Sequence, residues 1–402
     1  LEFRRVLFRS KGANGEHSQP VKVDEDDAID APPALPKGRS DEEVLEFIQE
    51  SSEAQNLYFL DTVIIGAGPA GIGVAHALLR GGMAPNSILL IEKERSLGSS
   101  FLEWHNTTRF ISPSWAGYPF GVQDLNAIVP DTTVCAGESA SQQHPTGHEY
   151  SSYLERMMNG TNLVCLFGER VISIERRAKQ GCFVIQSRND KKKGDCVFIA
   201  NYVVWAGGEW NSPRLPQTSE LSGEGAVFAK DACIHYKHAN FEALLQSRRS
   251  DNDPIVLIGG GEAGADLGVA LANRGAKILI VEESRDGEEQ LDPSRRLSPI
   301  TMERLANAGK KIDFRTGTKC IKAQRQGDTV TITLDCGLTS NDTRTAFPKP
   351  TTETVITGAD AVLCTGFDPS SNPLLMDLFE WNKEGLPIVT PNNDEKIGRA
   401  HV

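Results

Sequence analysis

Two stretches of the chain share one order of apolar and polar positions. Each begins with a short apolar run, passes through a glycine-rich turn into a segment with apolar residues at helical spacing, and ends in a second apolar run followed by an acid. Short apolar runs bounded by glycine predict buried strands. We therefore predict two strand–turn–helix–strand units. Their strands are residues 62–65 and 87–91 around a helix to Arg80, and residues 255–258 and 277–281 around a helix to about Asn273.

The turn of each unit has the spacing G-x-G-x-x-G. Residues 66–71 read GAGPAG (the first glycine turn) and residues 259–264 read GGGEAG (the second glycine turn). The first glycine of such a turn allows a tight bend, the second lets the backbone approach a pyrophosphate, and the third lets the helix pack closely. The N–H groups at the helix N-terminus then bind phosphate. The pattern predicts two dinucleotide sites, and the alternative is an α/β repeat that binds no nucleotide.

An acid after the second strand completes each predicted site, because it accepts a hydrogen bond from a ribose hydroxyl. Glu92 lies 21 residues after Gly71, and Glu282 lies 18 residues after Gly264, close to the usual spacing of about 20. Two nucleotides in one chain indicate a flavin that takes a hydride from a nicotinamide. We therefore assign FAD to the first unit and NAD(P)H to the second.

The choice between NADH and NADPH stays open at this point. Glu282 and Glu283 would repel a 2′-phosphate and so favour NADH, whereas Arg274 or Arg285 could bind that phosphate.

Alternating apolar and polar stretches predict two small antiparallel sheets. The first comprises residues 171–176, 182–187 and 197–204, and the second comprises residues 321–326 and 329–334. Residues 149–158 have apolar side chains at helical spacing, which predicts a helix.

From about Asp61 to Pro387 the chain resembles the two-dinucleotide-binding-domain flavoproteins. Within them it is most similar to the pyridine nucleotide-disulphide oxidoreductase-like proteins that also resemble flavin-containing monooxygenases. The similar segments are the two glycine turns, Ser100 and Phe101 with Trp104, and residues 109–114, 120–128, 205–209 and 360–367.

The resemblance implies an α/β fold in which the NAD(P)-binding Rossmann-like domain is inserted into the FAD-binding one, each with a small antiparallel sheet. It places the FAD domain at 58–216 and 357–395 and the NAD(P) domain at 217–356. The two crossovers between domains are residues 205–208 and 365–366. Together with the glycine turns it implies the cofactor-binding residues Gly66, Gly68, Pro69, Ala70, Gly71, Glu92, Lys93, Ser100, Phe101, Trp104, Ala206, Gly207, Gly208, Gly259, Gly261, Glu262, Gly264, Glu282, Thr365 and Gly366.

Two departures from the related families narrow the function. The cysteines, at 135, 165, 182, 196, 233, 320, 336 and 364, include no C-x-x-C or C-x-x-x-x-C pair, which disfavours a dithiol relay. The flavin-monooxygenase motif F-x-G-x-x-x-H is incomplete at 227–236. Phe228 and His235 are present, but the glycine is absent and the spacing is one residue longer.

Charge and composition exclude several other classes of protein. A net charge of −12 argues against a dedicated nucleic-acid or anionic-membrane binder. No apolar run approaches the roughly 20 residues of a membrane span. Scattered cysteines are typical of a reducing compartment, so we expect the cytoplasm. The histidine pairs at 144 and 148 and at 235 and 238 lack further ligands, so we expect no metal site.

The two ends of the chain need separate treatment. Residues 1–10 and 396–402 resemble translated sequencing adapter, since one oligonucleotide read on opposite strands can encode both, and the alternative for the start is a basic mitochondrial presequence. Residues 11–52 are acidic and rich in Pro, Gly and Ser, which predicts a disordered arm up to residue 57. We therefore expect a C-terminally truncated protein that retains FAD poorly.

The predicted function is an FAD-dependent NAD(P)H oxidoreductase that passes electrons to O₂ and a small-molecule substrate, with monooxygenation preferred. One alternative is a reductase of a small disulphide or quinone without a dithiol relay. Another is a flavoprotein that senses nucleotide redox state and binds a partner. A homo-oligomer is compatible with the sequence, and no catalytic acid or base is identified.

Overall fold

The computed structural model describes residues 56–381, except for 106–107, 118–122, 130–133, 139, 141–142, 178–179, 190, 192–194, 209–210, 216–226, 284–296, 337–351, 377 and 380. The predicted acidic arm at 11–52, both adapter-like ends and Arg285 lie outside the described residues.

The helices and strands run in this chain order: β1 (Asn56–Ile65), α1 (Pro69–Arg80), β2 (Ile88–Glu92), α2 (Ser99–Leu102), α3 (Gly147–Met158), β3 (Val164–Phe167), β4 (Glu169–Arg177), β5 (Cys182–Asn189), β6 (Asp195–Trp205), β7 (Val227–Phe228), β8 (Cys233–His235), α4 (Phe241–Gln246), β9 (Pro254–Ile258), α5 (Glu262–Asn273), β10 (Lys277–Val281), α6 (Pro299–Ala308), β11 (Ile312–Arg315), β12 (Lys319–Gln326), β13 (Thr329–Asp335), β14 (Thr352–Thr357), β15 (Ala361–Leu363) and α7 (Pro373–Met376).

The chain divides into two compact units. Unit 1 consists of the residues up to Trp104, of Ser112–Glu209 and of the residues from Ser370, and unit 2 consists of His105–Ile111 and Trp210–Pro369. The larger part of unit 2 is therefore an insertion in the sequence of unit 1. The predicted NAD(P) domain at 217–356 falls inside that larger part, and its exact boundaries stay a prediction.

Unit 1 contains a six-stranded sheet in the order β3-β2-β1-β6-β5-β4. Strands β3, β2, β1 and β6 pair with one another in parallel, whereas β5 pairs antiparallel with β6 on one side and with β4 on the other. Strand β1 thus lies between β2 and β6, and the chain crosses from one side of it to the other. Open parallel sheets bind ligands at the carboxyl end of the strand where the order reverses in this way.

The antiparallel strands of unit 1 differ from the prediction in one respect. We predicted them as a separate small sheet, whereas β6 joins them to the parallel sheet. One edge of β6 pairs with β1 along the length of β1, and the other edge pairs antiparallel with β5. Strand β6 has 11 residues, which is long enough to pair with both β1 and β5. The alternation of apolar positions predicted the strands correctly, but it does not reveal which partner each edge takes.

The predicted helix at 149–158 is confirmed as part of α3. Its N-terminus carries a capping box, in which the Glu149 N–H donates to Thr146 Oγ1 (3.2 Å) and the Thr146 N–H donates to Glu149 Oε2 (2.8 Å). The predicted apolar face, which includes Tyr150, Tyr153 and Leu154, is buried. The capping box fixes the first turn of α3, and the buried face packs the helix into the core of unit 1.

Unit 2 has three layers, which are helix α5, a five-stranded parallel sheet and a four-stranded sheet. The strand order of the parallel sheet is β11-β10-β9-β15-β8, and that of the four-stranded sheet is β14-β13-β12-β7. Alternate residues of the central strands face opposite layers. Leu257 and Ile280 pack with the apolar face of α5, while Val256 packs with the side chains of β12 and β13. Both faces of the parallel sheet are buried, which explains its nearly continuous apolar sequence. The predicted α/β fold with two Rossmann-like units is confirmed.

Truncation of Ile280 tests the central layer of unit 2. Ile280 is fully buried, so Ile280→Ala should lower the free energy of unfolding by about 2–5 kcal/mol. Ile356→Ala is the matched control, because Ile356 on β14 is 49% exposed. That control should change the free energy by about 0.5 kcal/mol or less. Urea unfolding followed by circular dichroism measures both variants, and equal losses would contradict the assignment of the layers.

Candidate functional site

The first glycine turn lies between two neighbouring strands of unit 1. The Gly66 N–H donates to the Ile91 carbonyl (2.8 Å), and the Ala206 N–H donates to the Ile65 carbonyl (2.8 Å). Gly66 has φ +106°, and a β-carbon built on it would lie 2.3 Å from the Ala206 oxygen. Only glycine fits this backbone angle and this approach.

The other two glycines of this turn have different surroundings. A β-carbon on Gly71 would lie 2.0 Å from the Gly66 oxygen, whereas a β-carbon on Gly68 would meet no heavy atom within 4 Å. Gly68 is also the N-cap of α1, without a side-chain cap, and Pro69 begins the helix. The third glycine therefore serves packing, and the second faces open space beside a helix N-terminus. This cradle fits a phosphate group. Ala70, in the first turn of α1, is exposed beside it.

The second glycine turn repeats this geometry within unit 2. Gly259 has φ +110°, and its β-carbon would lie 2.4 Å from the Cys364 oxygen. A β-carbon on Gly264 would lie 2.0 Å from the Gly259 oxygen, and one on Gly261 would meet no heavy atom within 4 Å. At the three glycine positions of the G-x-G-x-x-G pattern, each turn therefore has two packing glycines and one open glycine. Gly260, an additional glycine of the second turn, is also closely packed.

Glu92 and Glu282, the two acids predicted to bind a ribose, each accept a hydrogen bond from the backbone N–H of the second residue of their glycine turn. The Ala67 N–H donates to Glu92 Oε2 (2.9 Å), and the Gly260 N–H donates to Glu282 Oε2 (2.6 Å). Glu92 Oε1 also accepts hydrogen bonds from the Glu94 N–H (3.0 Å) and the Ser99 hydroxyl (3.2 Å). The acids therefore position the glycine turns, a role that sequence spacing did not predict.

Glu262 lies in the first turn of α5 and turns towards α6. Its carboxylate accepts hydrogen bonds from the Ser298 N–H and the Thr301 hydroxyl. Ser298 is the N-cap of α6, so the carboxylate of this predicted cofactor residue is engaged by the neighbouring helix.

The predicted aromatic residues of unit 1 are packed together. Phe101 is only 3% exposed, and its ring contacts Trp104 and Tyr150 edge to face at centroid distances of 5.1 and 4.8 Å. Lys93 and Ser100 are half-buried. The structure thus places Phe101 in the core of unit 1, and a direct flavin contact by these residues stays a prediction.

The two segments predicted as crossovers, residues 205–208 and 365–366, each follow a parallel strand. Gly208 and Gly366 have φ +74° and +76°, and neither would bring a β-carbon within 4 Å of another atom. Gly207 lies beside the Trp205 ring, where a β-carbon would come within 2.7 Å. The Thr365 hydroxyl donates to the Arg214 carbonyl (2.7 Å) and so holds the chain that enters unit 2.

His235, known from sequence only through an incomplete motif, supports the second crossover. It is 2% exposed, with Nε2 3.0 Å from the Gly366 oxygen, and Nδ1 accepts a hydrogen bond from the Lys237 N–H (3.3 Å). This pattern requires a neutral ring with the proton on Nε2. Burial lowers the pKa of His235.

All eight cysteines are described and are free thiols. Burial raises the pKa of Cys233, Cys320 and Cys364 to about 12, so these thiols stay protonated near neutral pH. Protonated, buried thiols are poor nucleophiles.

Among the residues that the structure describes, no group of three or more His, Cys, Asp or Glu side chains could hold a metal ion. No described helix has the length and apolar character needed to cross a membrane.

The neutral His235 predicts acid sensitivity. Its folded pKa is lowered relative to the unfolded value of about 6.5, so its contribution to stability is present above that pH and is lost as pH falls below it. His235→Gln keeps a donor for the Gly366 oxygen and does not titrate. When the pH is lowered from 7.5 to 5.5, we expect the unfolding temperature of this variant to fall by less than that of the parent protein. The exposed His148→Gln is the control and should lose as much as the parent. An unchanged pH dependence in His235→Gln would contradict the assignment.

Structures of several flavoproteins share this fold. The bacillithiol disulfide reductase Bdr of Staphylococcus aureus is 18% identical with a TM-score of 0.57, over 84% of this chain and 86% of that one. The FAD-bound cadaverine monooxygenase DfoA of Erwinia amylovora is 12% identical with a TM-score of 0.60, over 85% and 86%. The Kutzneria sp. 744 ornithine N-hydroxylase KtzI, with reduced FAD, NADP⁺ and L-ornithine, is 16% identical with a TM-score of 0.56, over 82% and 86%. At these identities the likeness concerns the fold.

The family model described as pyridine nucleotide-disulphide oxidoreductase matches residues 63–398, and this range includes both glycine turns. The predictions of the family and of an oxidoreductase are thereby confirmed, and the predicted cofactors FAD and NAD(P)H agree with them. Because the match spans most of the chain, the protein belongs to the pyridine nucleotide-disulphide oxidoreductase family.

Proposed function

We propose that the protein is an FAD-dependent NAD(P)H oxidoreductase whose end reaction is monooxygenation of a small molecule in the cytoplasm. The observation that carries the proposal is the repeated cradle, in which Gly68 and Gly261 each face open space at the start of a 12-residue helix. Two such cradles suit two dinucleotides, and the family name specifies a pyridine nucleotide for one of them.

The residues of unit 1 fit FAD. The first glycine turn would hold the pyrophosphate with the N–H groups of α1, and Glu92 would accept a hydrogen bond from the adenosine ribose. The remaining lone pairs of the Glu92 carboxylate allow this, since a carboxylate has about four acceptor sites. In unit 2, the second glycine turn and Glu282 would hold NAD(P)H in the same manner. When bound, the flavin supplies the redox chemistry, and the chain supplies binding and orientation.

The state of the cysteines favours monooxygenation over a dithiol reductase. A dithiol relay needs two neighbouring sulfurs, one of them as a thiolate. The cysteines are free thiols, and burial raises the pKa of several of them. In the overall reaction, NAD(P)H, a proton, O₂ and the substrate give NAD(P)⁺, water and the hydroxylated substrate. The fold of DfoA and KtzI supports this choice, and their substrates suggest primary amines as first candidates.

Reduction of a small disulphide without a dithiol relay is the second candidate. The observation that favours it is the fold similarity to the bacillithiol disulfide reductase over most of both chains. This activity would persist without O₂.

The open glycines provide a paired test of the two cofactor sites. Gly68→Ala should fill the first cradle and lower the FAD content of the purified protein at least about fivefold, while the unfolding temperature of the FAD-free protein changes little. Gly261→Ala should leave FAD content unchanged and slow flavin reduction by NAD(P)H. Flavin absorbance measures both quantities, and each variant is the control for the other. Normal FAD content in Gly68→Ala would refute the assignment of unit 1.

The end reaction is tested by the fate of O₂. FAD-saturated protein should consume one O₂ per NAD(P)H and release little H₂O₂ when cadaverine, L-ornithine or another accepted amine is present. Without substrate, most of the O₂ should appear as H₂O₂. Parallel anaerobic assays with low-molecular-weight disulphides and quinones measure the competing activity. Steady anaerobic turnover of a disulphide or quinone, together with full release of H₂O₂ in the presence of every amine, would contradict monooxygenation. That result would favour the reductase activity instead.

A further inference from the structure

The chain that follows the first cradle changes units within a few residues. Residues up to Trp104 belong to unit 1, residues 105–111 belong to unit 2, and the chain is part of unit 1 again from Ser112. The resemblance predicted passages between the domains at 205–208 and 365–366 and none at this position. A short segment from the sequence of unit 1 therefore completes unit 2.

On the unit 1 side, this part of the chain is attached to the first glycine turn. The Gly98 N–H donates to the Ala67 carbonyl (3.0 Å), and the Ser99 hydroxyl donates to Glu92 Oε1 (3.2 Å). The other oxygen of Glu92 accepts the Ala67 N–H (2.9 Å). One carboxylate thus joins the turn to Ser99, so a ligand that bonds to Glu92 also fixes the group that holds Ser99.

On the unit 2 side, the chain is attached to helix α5, which begins at the second glycine turn. The Thr108 hydroxyl donates to Asp266 Oδ2 (2.6 Å). Asp266 lies five residues after Gly261, about 7.5 Å along the helix axis. Its side chain is 14% exposed and also pairs with Arg304 of α6. A carboxylate this far from solvent depends on such partners, because its desolvation is costly.

Two further contacts support this attachment. The His105 ring stacks on Phe241 of α4, with centroids 3.9 Å apart and an angle of 11° between the planes. Glu262, one helical turn before Asp266, holds the N-terminus of α6 through Ser298. The segment is therefore attached to the face of α5 that packs against α6, close to the start of the second cradle.

The two attachment points, Ser99 and Thr108, are nine residues apart in the sequence. Fixing a chain segment costs conformational entropy. A ligand that stabilises one attachment point restricts the segment, and a ligand at the other end then binds with a smaller loss of entropy. Coupling of this kind is reciprocal, so each ligand strengthens the binding of the other by the same factor.

We propose that the segment from Ser99 to Thr108 couples the two cradles, so that a nucleotide in one tightens binding in the other, and that the Thr108–Asp266 hydrogen bond transmits this coupling. The proposal rests on the proposed function, because it assumes that each cradle holds a nucleotide.

Binding of FAD with and without a ligand at the second cradle tests the proposal. ADP-ribose is the probe, because it carries the pyrophosphate but lacks the nicotinamide that would stack on the flavin. In the parent protein, saturating ADP-ribose should lower the dissociation constant of FAD at least about fivefold. Gly261→Ala fills the second cradle and shows the effect of ADP-ribose on the first cradle alone. Flavin fluorescence measures the dissociation constant in each case.

The role of the hydrogen bond is tested at Thr108. Thr108→Val removes the donor and keeps the shape of the side chain, so the effect of ADP-ribose should fall to within about twofold of that in Gly261→Ala. Thr108→Ser retains the hydroxyl and should respond like the parent. Thr329→Val is the matched control, because it removes another hydroxyl bond of unit 2, to the Gln326 carbonyl (3.0 Å), and it should also respond like the parent.

Hydrogen exchange of the parent protein is a second measurement, which needs no variant. FAD alone should slow amide exchange in residues 105–111, although they belong to unit 2. Unchanged exchange there, or an effect of ADP-ribose no larger in the parent than in Gly261→Ala, would overturn the coupling and leave the proposed function intact. A parent-like response of Thr108→Val would overturn the role of its bond to Asp266. Failure of the parent to bind FAD would refute the proposed function itself.

Discussion

The close approach of two backbone segments at each glycine turn is the constraint on which both cradles depend. Gly66 touches the Ala206 carbonyl, and Gly259 touches the Cys364 carbonyl, so tightly that no side chain fits at either glycine. Each contact occurs where the central strand ends between its two parallel neighbours. The turn must therefore bend sharply at its first residue. The third glycine packs beneath it, which leaves the second glycine at the edge of open space. One steric requirement thus fixes the place, the direction and the depth of each cradle.

A second constraint links each turn to its acid. Glu92 is the last residue of β2, and Glu282 directly follows β10. Each accepts the N–H of the residue after the first glycine of its turn. A carboxylate in this position stabilises the turn without a bound nucleotide, because it accepts a hydrogen bond from a backbone N–H beside the cradle. The same geometry brings the carboxylate to the predicted place of a ribose. Structural and binding roles therefore cannot be separated by deleting the acid, and only a conservative amide that keeps the acceptor and removes the charge distinguishes them.

Local patterns predicted the parts of the fold that depend on neighbours in sequence. The strands at 62–65 and 277–281, the helix at 149–158 and both glycine turns follow from short apolar runs, helical spacing and the need for positive φ. Contacts between distant residues were not predictable in this way. The pairing of β6 with β1, and the contact between His235 and the Gly366 carbonyl, join residues far apart in the chain. Such partners depend on tertiary packing, which a single sequence does not encode in its periodicity.

The two turns differ most at the residue that begins the helix, where one turn has a neutral residue and the other has a carboxylate. Pro69 begins α1 and is neutral, whereas Glu262 begins α5. A carboxylate at a helix N-terminus would compete with a bound phosphate for the same N–H groups. Here the N-terminus of α6, through Ser298 and Thr301, engages the carboxylate instead. The space at Gly261 stays open, so the second cradle keeps its geometry although a carboxylate begins its helix.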